Sequence, residues 1–179
     1  MGVIIASLLW GFGEATLFFI IPDVLLSAIA LQRAKRAFYA CLYALIGALI
    51  GGTIMYMWGA NAPIESVDIV EKVPAIDHTM LQEVKTSLSD DGLLAMILGP
   101  TKGIPYKIYA ITAYQAGISY IAFLLASIPA RFIRFFLVTS LTWLISRYLL
   151  KHQSMKIKYS IWAVAWLIIY VIYFWNNPS

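Results

Sequence analysis

The sequence predicts an all-α, polytopic transmembrane protein with two opposed re-entrant hairpins arranged as an inverted repeat, and three observations carry that expectation. Of the 179 residues, 61% are hydrophobic and only 12% charged, with a mean hydropathy of +0.81, values that exclude an ordinary soluble fold. Residues 37–59 form an uncharged run of 23 residues, about 35 Å long as a helix and enough for one crossing. Two other apolar stretches, GFGEATLFFIIPD at 11–23 and GPTKGIPYK at 99–107, are broken by charge and proline. Backbone broken at membrane depth must be buried in protein or line a cavity, and a pair of such breaks marks a transport site.

The whole chain, 1–179, reads as a single membrane domain. Its formal charge of +4 and pI near 9.2 do not indicate nucleic acid, because the basic residues form short clusters beside apolar runs, as cytoplasmic anchoring requires. The single cysteine, Cys41, has no partner for an intramolecular disulfide and is assigned to packing.

The first element, 3–31, contains a small-x-small sequence, Ala28-Ile29-Ala30, that resembles a leader cleavage site. It lacks a positively charged start and carries Glu14 inside the apolar run, so it is not expected to be a leader. A straight span would separate Glu14 and Asp23 by nine residues and place an Asp near the bilayer centre at a cost of about 2.5–3.5 kcal/mol. A hairpin with Pro22 at its tip gathers both carboxylates at one place and is the preferred reading. In that case both ends lie in the cytoplasm; a span would put the N-terminus outside.

The helix at 37–59 follows, with Gly47 and Gly51 at the spacing that lets another helix approach closely. Residues 61–92 form the only long polar stretch. Ile64, Val67, Val70, Val73, Ile76, Met80, Val84 and Leu88 recur every three or four residues, which predicts an amphipathic helix interrupted at Pro74. Its polar face holds seven acids against Lys72 and Lys85. An anionic leaflet would repel such a face, so the segment is expected over the protein on the outer side.

Loop charge sets the topology. Arg33, Lys35 and Arg36, with Lys151, Lys156 and Lys158, are six of the thirteen basic residues and have no acid among them, which puts both loops in the cytoplasm. The helix at 37–59 then runs outward, and 118–150 must return as one long kinked helix or two short ones around Pro129. Residues 93–117 therefore begin and end outside. Gly99, Pro100, Gly103 and Pro105 supply the tip of this second hairpin. A last span at 159–175 carries Trp162, Trp166, Tyr170, Tyr173 and Trp175, whose terminal rings suit an interfacial belt.

Opposed hairpins would bring Glu14 and Asp23 towards Lys102 and Lys107 near the midplane. A desolvated carboxylate there is able to carry a proton, and the lysines, aided by Arg131 and Arg134, to hold an anion. The alternatives are that the four charges only neutralise one another and that the arginines pair or snorkel. No nucleotide loop is present, since GPTKG lacks the required ending. His78 and His152 have no metal-ligand spacing. Ser119, Ser127 and Ser140 have no catalytic His/Asp context and are assigned to helix carbonyls. No catalytic residue, enzymatic activity, metal or cofactor is expected.

These residues resemble the DedA / VTT-domain superfamily, also called SNARE-associated Golgi proteins, and are most similar to its short bacterial members. The resemblance covers about 11–150. It rests on Glu14 followed by Pro22-Asp23, on GPTKGIPYKIYAITAYQAG, and on Phe123 with Arg131 and Arg134. Lys102 and Lys107 stand where the family usually has arginine, and Pro-Asp stands where many members have a Pro-Gly-Glu-like loop.

The resemblance implies flipping or scrambling of an anionic lipid, a polyprenyl phosphate or a phospholipid, with possible coupling to protons. Membrane lipids are then the partners and the bacterial inner membrane the location; a homo-oligomer is compatible with the sequence. Two other functions remain open: proton-coupled movement of a small ion or osmolyte, and a non-transporting membrane scaffold that docks partners through 61–92.

Overall fold

The computed structural model describes residues 2–176, and among them all regular structure is helical. Nine α-helices follow in order: α1 (Gly2–Ala15), α2 (Asp23–Ala30), α3 (Ala34–Asn61), α4 (Pro63–Val70), α5 (His78–Asp91), α6 (Leu93–Leu98), α7 (Tyr106–Thr112), α8 (Tyr120–Leu144) and α9 (Met155–Asn176). A 3-10 turn, Gly99–Lys102, extends α6, and a π-helical turn, Ile145–Leu149, extends α8. Three helical stretches are long and apolar enough to cross a membrane: α3, α8 with its π turn, and α9. This is a membrane protein.

α3 is the axis of the fold because one of its faces consists of small residues. Ala37, Ala40, Ala44, Gly47, Ala48, Gly51, Gly52 and Gly59 are all buried at helical spacing. Lipid tails are as apolar as leucine, so helices in a bilayer associate through close packing, which small residues permit. α1 uses that face most fully. A Cβ on Gly47 would overlap the Leu8 carbonyl, and one on Gly51 would meet Phe12 O at 2.8 Å and the Ala15 Cβ at 3.0 Å. Residue numbers rise together along the two helices, so α1 runs parallel to α3.

α1 ends where Thr16 donates its hydroxyl to Gly13 O at 2.8 Å and Phe18 N closes on Gly13 O at 2.8 Å. Trp10 Nε1 then donates to Ile20 O at 2.9 Å, folding the link 16–22 back over α1. α2 starts after Pro22 and returns to the beginning of α3.

The second broken segment is also met by α3 and α8. Tyr106 packs on Gly52 and Ile111 on Gly59, so α7 runs parallel to α3 as well. α8 runs the other way: Thr53 and Tyr120 share a hydroxyl contact at 3.2 Å, while Cys41 Sγ lies 3.1 Å from the Thr139 hydroxyl. Pro129 sits inside α8 without ending it.

α4 and α5 form an outer layer, separated by a turn at 71–77. Val70, Val73, Met80, Val84 and Leu88 are buried in one cluster with Tyr106, Ile108 and Tyr109 of α7. Asp77 caps α5 by accepting from Met80 N at 2.8 Å, and this bond with the Thr79 hydroxyl holds the Asp77 carboxyl below the usual carboxylate range. α9 has no buried residue at all.

Candidate functional site

The last turn of α1 carries Glu14, and the first turn of α2 carries Asp23; both are buried. Neither meets a lysine. Glu14 Oε2 accepts from Arg131 Nη2 in a short, buried ion pair. Asp23 Oδ2 lies 2.8 Å from Arg134 Nη2 in a second ion pair. The expected opposition of Glu14 and Asp23 to Lys102 and Lys107 is met only in part: the ion-pair partners are Arg131 and Arg134, three residues apart on α8, Lys102 lies elsewhere, and Lys107 shares a cavity with Glu14. Arg131 and Arg134 lie on one face because the helical repeat brings i and i+3 together.

Arg131 is held by more than its carboxylate. Its guanidinium carbon stands 5.0 Å from the centre of the Tyr106 ring and 4.9 Å from that of Phe135, at cation–π distance on both sides. Tyr106 is fixed in turn by a 2.7 Å hydroxyl contact with Ser127. The Arg131 Nε has no hydrogen-bond partner. Arg134 is less enclosed, and its Nη1 donates to Pro100 O at 3.1 Å.

Lys107, at the start of α7, is only 2% exposed and donates from Nζ to Phe18 O at 2.8 Å. Each broken segment thus offers a backbone carbonyl, Phe18 or Pro100, to a cation from another element. Lys102 lies elsewhere. The 3-10 turn ends in Gly103 at φ 95°, and Lys102 is exposed in a surface groove with Glu83, Ser87 and Asp91. The left-handed glycine reverses the chain just before Pro105 and turns Lys102 out of the interior.

Glu14, Lys107 and Arg134 line a cavity of about 110 Å³ between the two broken segments. Its apolar walls come from Phe19 and Ile21, from Val73 and Ile76 of the outer layer, and from Gly103, Ile104 and Pro105. Tyr170, Tyr173 and Phe174 of α9 close one side. Pro22 is buried behind the cavity, and Gly99 is covered by Tyr109, where no side chain would fit.

The five charged groups of this cluster are Lys107, Arg131 and Arg134 against Glu14 and Asp23. In their ordinary charge states they leave an excess of one positive charge.

Tyr106, Tyr170 and Tyr173 were not expected at the site. Tyr170 accepts from Ile21 N at 3.1 Å and belongs to the cavity wall. The signal was present in the sequence, since 159, 162, 166, 170 and 173 are all aromatic and recur at three- and four-residue steps on one helix face. Of the serines, Ser127 bonds Phe123 O at 2.7 Å, Ser119 caps α8 through Ala122 N, and the buried Ser140 hydroxyl has no partner. No cluster of three metal-ligating side chains occurs among the described residues.

No protein-family model matches the chain, and no solved structure does. A protein of Haemophilus influenzae described as an uncharacterized protein is 26% identical over 159 residues, spanning 88% of this chain and 79% of that protein.

Proposed function

We propose that this chain is a polytopic protein of the bacterial inner membrane, built like the DedA / VTT-domain superfamily, that carries an anionic lipid headgroup between leaflets. The observation that bears most on this reading is the buried cluster of three cations and two carboxylates beside a 110 Å³ cavity. A single excess positive charge in a largely buried site attracts an anion, and the neighbouring carboxylates keep the site from binding it too tightly to release.

Two re-entrant hairpins account for the order of contacts. α1 parallel to α3, with α2 leading back to the start of α3, fits a first hairpin entered from the cytoplasm. α6 leading in and α7 running parallel to α3 fits a second hairpin entered from outside, which makes the pair an inverted repeat. In this mechanism Lys107 and Arg134 hold the phosphate, Arg131 keeps Glu14 in place, and Glu14 or Asp23 takes up the coupling proton when an arginine is drawn to the anion. The cavity also suits a free inorganic anion moved with a proton, and its small volume favours that second reading.

Reconstitution in proteoliposomes tests both. A fluorescent anionic phospholipid is expected to cross between leaflets, and Lys107→Ala or Glu14→Gln to slow it about tenfold, as loss of one charge-assisted hydrogen bond would. Unchanged rates in both variants would remove the mechanism. Uptake of free phosphate driven by a pH gradient, without lipid movement, would select the second reading.

A further inference from the structure

We propose that α9 is a lateral gate: a helix hinged at its cytoplasmic start and latched to α2 by Trp162 and Trp166, whose release opens the charged cavity sideways to the bilayer. The proposal deepens the reading of that cavity as a headgroup site, and it rests on how α9 is attached.

α9 is apolar beyond its basic first turn and buries none of its 22 residues. What ties its middle to the protein is a set of hydrogen bonds. Trp162 Nε1 and Trp166 Nε1, one turn apart, donate to the same acceptor, Ser27 Oγ on α2, at 2.9 and 3.0 Å. Ser27 passes its own proton to Val24 O at 3.1 Å, so its hydroxyl is fully used. Further along, Tyr170 accepts from Ile21 N, the Tyr173 hydroxyl donates to Gly103 O at 3.5 Å, and the Phe174 ring meets the edge of Phe19 with centres 6.3 Å apart.

The two ends of α9 differ. At its start Lys158 Nζ donates to the carbonyl and hydroxyl of Ser146 at 2.9 and 3.1 Å, and Gln32 bonds the Tyr159 hydroxyl at 2.6 Å. These contacts anchor it beside the π turn that links it to α8, a geometry that often marks a functional joint. Its other half supplies Tyr170, Tyr173 and Phe174 to the cavity wall.

The physics favours movement there. In a bilayer, parting two apolar helices carries no hydrophobic penalty because lipid tails replace the lost contacts, so the latch is chiefly the hydrogen bonds. The cavity, about 110 Å³, admits a phosphate-sized group but no acyl chain. An amphiphile seated by Lys107 and Arg134 must leave its chains in the lipid, and the α9 wall is the one that can part for them.

The test reads distance and needs no transported substrate. Nitroxide labels are placed on Leu17→Cys and Val171→Cys, both exposed, in a Cys41→Ala background in liposomes. Replacing Trp162 and Trp166 by Phe keeps the rings and removes both donors. The expected result is a longer-distance population that increases about twofold or more in the double variant. A second pair, Leu9→Cys with Leu137→Cys, is expected to keep one unchanged distance. No gain in the longer population, or an equal change at the second pair, would overturn the gate. A gate that opens in a protein that moves no lipid would instead defeat the functional reading.

Discussion

α3 and α9 are both long, apolar and free of acidic residues, yet half of the most apolar stretch of α3 is buried and none of that of α9. The difference lies in side-chain size. α3 presents small residues from Ala37 to Gly52 and again at Gly59, so that the Leu8 and Ile111 carbonyls reach its backbone. α9 has only Ser160, Ala163 and Ala165 as small residues and no glycine, so its neighbours are held at the length of an aromatic ring. Equal hydropathy takes a helix into the membrane; residue size decides whether it joins the core or stays at its edge.

The comparison can be broken most sharply at the charged core that α3 and α8 enclose. Glu14→Ala leaves the Arg131 guanidinium buried and unpaired, and is expected to cost about 3–5 kcal/mol in denaturant unfolding from detergent. Replacing the pair together, Glu14→Leu with Arg131→Met, should restore most of that stability while abolishing any translocation. If the double variant stayed as unstable as the single one, the pair would not be the source of the loss.

Gly47→Leu should cost less, about 1–3 kcal/mol, because α1 has to move off the α3 backbone to admit the side chain. Its melting temperature in detergent measures this, and wild-type stability would mean that α1 is not packed as described. Leu167→Ala, on the 65% exposed face of α9, should change stability by no more than about 0.5 kcal/mol. A larger loss would show that α9 is a core helix after all and would remove the contrast with α3.

The parts of the fold legible in the sequence are those in which one residue property decides the outcome. The run at 37–59 is helical within α3, the apolar stretch at 118–150 corresponds to α8 and its π turn as one long helix, and 159–175 lies inside α9. The repeat at 61–92 gives two helices with a turn at 71–77 around Pro74, where the ring removes a donor and limits the residue before it. The glycine spacing of 47 and 51 pointed to a close helix neighbour without naming it.

The charged site was only partly legible. Glu14 and Asp23 are the only acids outside 61–92, which is why they stood out. Their partners did not, because charge along a chain carries no pairing information and four cations were candidates.

The sequence by itself determined that the chain enters a membrane, which segments are long enough to cross, and where the backbone breaks, since hydropathy, proline and glycine act over a few residues. Only the tertiary structure decided that Arg131 and Arg134 take the two carboxylates, that Lys107 turns in to the Phe18 carbonyl while Lys102 turns out, and that the aromatic face of α9 walls a cavity. Those outcomes depend on distances between residues 60 to 150 positions apart. An ion pair or a latch forms wherever the packed backbones bring a donor within about 3 Å of an acceptor, and the small residues of α1 and α3 set how closely those backbones come together.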